Sequence, residues 1–172
     1  MAKILPIKIY PCPVLRQKAR ELKTEELQSE EIKQLILNME ATMKAKDGIG
    51  LAAPQIGSSL RIIVISTQDG TIALVNPKIL RKSWKKEILE EGCLSLPQIF
   101  GMVKRSQNIK LVAFNKNGKK VKFDAQGYFA RVIQHEIDHL DGVLFIDKSK
   151  EITQGQKELD RLKSLPVGDY EY

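Results

Sequence analysis

The chain has 172 residues, of which 42% are apolar and 28% charged. That composition excludes a disordered or membrane-embedded protein and suits one soluble globular domain over residues 1–172. The formal net charge of +7 permits attraction to anionic partners but says nothing about fold.

Residues 1–23 read as irregular, because Pro11-Cys12-Pro13 is incompatible with regular helix. A helix is expected after Ser29, a good N-cap, with Glu30 and Glu31 in its first turn. Ile32, Leu35, Ile36, Met39 and Met43 then recur at helical spacing until Asp47-Gly48 stops them. The glycine-bounded stretch 48–57 reads as a tight crossover loop with one polar side chain of note, Gln55. Strands are expected at 60–66 and 72–76, joined by Gln68-Asp69-Gly70 and closed by Pro77. Trp84 is expected to pack at an edge, and 86–90 to form a further short strand. A second hairpin spans 109–114 and 121–123 around Asn115-Lys116-Asn117-Gly118. Helices follow at about 125–140, ended by Asp141-Gly142, and at 157–163, with 165–172 a frayed tail. Strands precede the main helix and do not alternate with helices, which makes the class α+β.

Several further classes fall away. No apolar run approaches the roughly 20 residues of a membrane helix. The N-terminus lacks the long apolar segment of a secretory signal. Two cysteines, Cys12 and Cys93, make no disulfide framework, so a reducing cytoplasmic setting is expected. The basic residues lie in short lysine clusters without interleaved aromatics, which reads as a solvated surface and not as a dedicated nucleic-acid site.

Both histidines of the chain lie in Gln134-His135-Glu136-Ile137-Asp138-His139. On a helix, residues four apart share a face, so His135 and His139 aim at one point. Two converging imidazoles suit a transition metal, and the intervening Glu136 suits a general base, as in the H-E-x-x-H pattern. Such a metal needs at least one more protein ligand. Two candidates stand out. Glu158 lies nineteen residues after His139, where some zinc endopeptidases place a carboxylate ligand. Cys93 sits in a Gly-Cys-Leu turn after a strand. A third reading is a non-catalytic basic module with a structural metal, but Cys12 would then be the only residue left to close its coordination.

Three stretches together carry a resemblance. Gly48-Ile49-Gly50-Leu51-Ala52-Ala53-Pro54-Gln55, Glu91-Gly92-Cys93-Leu94-Ser95 and Gln134-His135-Glu136-Ile137-Asp138-His139 resemble the three ordered motifs of the peptide deformylase family. The resemblance implies small antiparallel sheets around a central H-E-x-x-H helix, with an N-terminal helix. It selects Cys93 over Glu158, giving one divalent ion held by Cys93, His135 and His139. Fe²⁺ is the implied native ion, and Zn²⁺, Ni²⁺ or Co²⁺ can replace it.

The implied reaction is removal of the formyl group from N-formyl-methionyl nascent peptides, releasing formate. Glu136 is the implied base, with Gln55 and the Leu94 backbone N–H receiving the oxyanion. The substrate would lie against Ile49 and Gly50, with Ile49, Leu89, Tyr128, Val132 and the His135 ring lining the methionine pocket. The family pattern also pairs Glu91 with Arg105 to hold the Cys93 loop. Phe100 departs from the pattern, since many members carry a basic residue there. The basic surface is compatible with work beside ribosomes.

Overall fold

The computed structural model describes residues 1–172. In chain order its elements are β1 (Lys8–Ile9), α1 (Glu30–Ala45), β2 (Gly50–Ala52), β3 (Ile62–Thr67), β4 (Gly70–Lys82), β5 (Lys86–Cys93) and β6 (Leu96–Ser106). There follow β7 (Asn108–Phe114), β8 (Lys120–Gln126), α2 (Gly127–Leu140), β9 (Ser149–Gln154), α3 (Gln156–Ser164) and β10 (Tyr170–Glu171). Three sheets form, in the orders β2-β3-β4-β7-β8, β5-β6-β9 and β1-β10. All pairings within them are antiparallel. Three helices and small antiparallel sheets make this an α+β protein.

The run Ile62-Ile63-Val64-Ile65 explains the layering. All four side chains are fully buried, yet successive residues of a strand face opposite ways. Ile62 and Val64 pack with Ile36, Met39 and Met43 of α1. Ile63 and Ile65 pack with Ala130, Ile133, Ile137 and Leu140 of α2. The five-stranded sheet is thus covered by a helix on each face, as a strand apolar on both sides requires. Each helix contributes one apolar stripe. The other side of α2 carries Arg131, His135 and His139, four residues apart, toward β5 and β6. No helix is long and apolar enough to cross a membrane.

Ser29 caps α1 by accepting from the Ile32 N–H at 3.3 Å, and Asp47 ends it with a positive φ of 53°. Several other expectations are corrected. Residues 1–23 contain strand β1 and a 3-10 turn at Pro13–Arg16. The stretch 48–57 is not simply a loop, because Gly50–Ala52 pairs with β3 before a 3-10 turn at Ala53–Ile56. Pro77 does not close β4. The register shifts between Val75 and Lys78, Asn76 takes a φ of 51°, and pairing with β7 resumes to Lys82. A proline without an N–H is tolerated at such a bulge. Trp84 packs on nothing, being 98% exposed in the turn between β4 and β5. The tail is ordered: Ile9 pairs with Tyr170, and the backbones of Ile7 and Tyr172 exchange two hydrogen bonds of 3.0 Å. Strands β6 and β9 had no counterpart in the sequence reading.

Candidate metal centre and active site

Cys93 ends β5, while His135 and His139 lie one turn apart on α2. The fold brings them together across more than forty residues of chain. Their donor atoms all lie within 4.8 Å of one another, and Cys93 Sγ is 3.2 Å from His139 Nε2. Glu158 is not part of this group. It sits on α3, where it accepts from Arg161 at 2.6 Å. Cys12 is also elsewhere, buried and donating to Asp169 at 3.3 Å.

A buried charge network supports the group. Glu91 accepts from Arg105 Nε and Nη2, each at 2.8 Å, from Arg131 Nη1 at 2.7 Å, and lies 2.9 Å from His135 Nδ1. Arg105 also pairs with Asp138, which in turn pairs with Lys148. Arg131 donates to the carbonyls of Val103 and Glu87 as well. With His135 Nδ1 directed to a carboxylate, its Nε2 is left for the centre.

The sequence reading missed Arg131 and Asp138. A usable signal existed, since Arg131 precedes His135 by four residues and therefore shares its helix face.

Glu136 is 4% exposed, and its Oε2 has no hydrogen-bond partner. Burial lifts its carboxyl to about 7. Burial also holds His139 well below the ordinary imidazole range, aided by nearby His135. His135 behaves oppositely. Burial disfavours its charge, but hydrogen bonds to Cys93 and Glu91 outweigh that and raise it to about 10. A ligating imidazole is neutral, so metal binding here is coupled to loss of a proton from His135.

Gly50 lies against Glu136: a Cβ there would overlap Oε1 and come within 2.8 Å of Cδ. Only glycine permits this approach. Gln55 is buried in the turn after β2. Its Oε1 accepts from the Ala52 N–H at 2.9 Å, and its Nε2 donates to Ser95 Oγ at 3.2 Å and Cys93 Sγ at 3.4 Å.

A cavity of about 500 Å³ opens beside these groups. Ile49, Gly50, Gln55, Leu94, Tyr128 and Val132 line it, together with His135 and Glu136. Leu89, expected in this wall, is half-buried on β5 between Glu87 and Glu91, the two residues that Arg131 binds, and is not among the residues that line the cavity. Phe100 does line the cavity, its ring packed over Gly92.

The donor set fits one transition ion. A thiolate and two imidazoles suit Zn²⁺, Fe²⁺, Co²⁺ or Ni²⁺, and three protein ligands leave a position open, as at catalytic sites. His139 Nδ1 is buried without a partner, and its Nε2 already faces Cys93 Sγ at 3.2 Å, on the side where an ion would sit.

Fold and site together define an α+β protein in which a thiol, two imidazoles and a buried glutamate gather beside one cavity, the donor set of a candidate metalloenzyme. The family model for polypeptide deformylase matches residues 4–155. A peptide deformylase of Thermotoga maritima is 44% identical over 161 residues, which is 94% of each chain. The crystal structure of the peptide deformylase from that organism superposes with a TM-score of 0.82 at 43% identity, covering 86% of this chain and 98% of that one. A Met-Ala-Ser-bound class I type b peptide deformylase from Acinetobacter baumannii gives a TM-score of 0.82 at 35% identity, covering 86% and 99%. The chain belongs to the polypeptide deformylase family.

Proposed function

We infer that this chain removes the N-formyl group from nascent peptides by hydrolysis, at a metal centre held by Cys93, His135 and His139. The observation that carries this is the convergence of those three donors beside the buried, unpartnered Glu136 oxygen. A divalent cation held there supplies Lewis acidity, which polarises a carbonyl and makes water acidic enough to ionise near neutral pH. Fe²⁺ is the proposed native ion, with Zn²⁺, Ni²⁺ and Co²⁺ able to take its place.

The residues divide the remaining work. The substrate lies extended along the Gly50 edge of β2, an edge strand open to pairing. Its methionine side chain enters the apolar pocket of Ile49, Tyr128 and Val132. Attack of water on the formyl carbon places negative charge on oxygen, which the Gln55 amide and the Leu94 N–H receive. Donors aimed at such an oxyanion are worth about 3 kcal/mol each. Glu136 accepts the proton of the attacking water and delivers it to the departing nitrogen, leaving formate and a free α-amine. Glu91, held by Arg105 and Arg131, orients the His135 ring. The free thiols of Cys12 and Cys93 support a cytoplasmic setting. Work on nascent chains makes the ribosome a proposed neighbour.

Formate release from formyl-Met-Ala-Ser under anaerobic conditions, with metal content measured on the same sample, tests this reading. Release without stoichiometric metal, or metal without release, would overturn it. Cys93→Ala is expected to lose both metal and release, and Glu158→Ala neither. The opposite pattern would favour a zinc endopeptidase with a carboxylate ligand. Gly50→Ala is expected to lower kcat/KM about a hundredfold by displacing Glu136, since an error of about 1 Å in a catalytic group costs that much. An unchanged kcat/KM would show that the contact is dispensable.

A further inference from the structure

The tail, beyond the residues matched by the family model, brings Tyr172 to the wall of the same cavity that holds Glu136. It is firmly held there. Its backbone exchanges two hydrogen bonds with Ile7, and Lys8 clamps the preceding residues through Asp169 at 2.8 Å and Glu171 at 2.7 Å. Tyr172 is 49% exposed, and Lys46 Nζ sits 4.3 Å from the centroid of its ring. A cation at that distance restrains an aromatic ring.

The course of the substrate places it relative to this ring. Gly50 abuts Glu136, so the formyl end lies at Gly50. The peptide cannot continue along β2 toward Ala52. Leu51, Ala52 and Ala53 are fully buried, and the Ala52 N–H is taken by Gln55. It must run the other way, past Ile49 and Gly48 to exposed Asp47, which lines the cavity with Tyr172. At roughly 3.3 Å per strand residue, the third residue of the peptide, counting formylmethionine as the first, reaches the Asp47 end.

Resting on the deformylase reading, we propose that Tyr172 is a specificity-determining wall of the cleft, favouring an apolar or aromatic side chain at the third residue of the formylated peptide. Ile49 and Leu94 line the same cavity and add apolar surface. Lys46 acts as a positioning residue for the ring.

The test compares the metal-loaded wild type, Tyr172→Ala and Tyr172→Phe on formyl-Met-Ala-Phe and formyl-Met-Ala-Ser, by formate release. Wild type and Tyr172→Phe should prefer the Phe peptide about fivefold in kcat/KM, through KM, and Tyr172→Ala should lose that preference. A role confined to anchoring the tail would scale both peptides alike and leave the ratio intact, which overturns the proposal. So does a wild type without the preference. Failure to release formate from either peptide would instead remove the deformylase reading, and this proposal with it.

Discussion

Replacing Glu136 by Gln should lower kcat for formate release about a thousandfold while the chain keeps its metal, the scale expected for loss of a positioned general base. Glutamine matches the carboxylate in size and still fits against Gly50, but it cannot take a proton from water. Few groups nearby can substitute. Glu91 is committed to two guanidinium groups, and Asp138 to Arg105 and Lys148. Because Glu136 is not among the three converging donors, metal content should stay near one ion per chain. Paired measurements of kcat and metal content check this. Activity within tenfold of wild type would remove Glu136 from the role of base, and metal loss would make it a ligand.

The second large effect concerns stability. Glu91→Gln should destabilise the fold by about 3 kcal/mol, because breaking a buried ion pair strands the remaining charge. Here two guanidinium groups lose their shared carboxylate: Arg131 keeps only backbone carbonyls and Arg105 keeps Asp138, with both arginines 4% exposed and Glu91 itself 7%. Burial disfavours the Glu91 anion, but hydrogen bonds from Arg105 and His135 outweigh that and hold its carboxyl well below the ordinary 4.5. A folded-state value lowered in this way contributes stability that is complete above pH 4.5 and lost as pH falls below it. Metal affinity should fall about tenfold, because a neutral amide oxygen replaces the carboxylate that orients His135. Urea unfolding of the metal-loaded proteins at neutral pH measures the first effect. A midpoint unchanged from wild type would mean that water reaches the guanidinium groups. The exposed Glu158–Arg161 pair serves as the contrast, since such surface pairs contribute little.

Much of the site was legible because its signals are local. His135 and His139 share a helix face by spacing alone, and Glu136 falls between them. The Ser29 cap, the apolar stripe of α1 and the Asn115–Gly118 turn are equally short-range. The third ligand was not local. Spacing left Glu158 and Cys93 both open, and only the ordered motifs favoured Cys93.

Two of the elements lost have pairing partners far off in the chain: β9 gains its hydrogen bonds from β6, and β10 from β1. β6 was lost although its partner β5 directly precedes it. β4 continues through Pro77 because β7 lies alongside to resume the ladder. By itself the sequence determined the α+β class, both long helices and the convergence of His135 and His139 with Glu136 between them, since helical periodicity and capping act within a few residues. Only the tertiary structure decided how Glu91 is buried between two arginines and that the tail reaches the cleft. Those outcomes depend on contacts between distant segments, which no local pattern encodes.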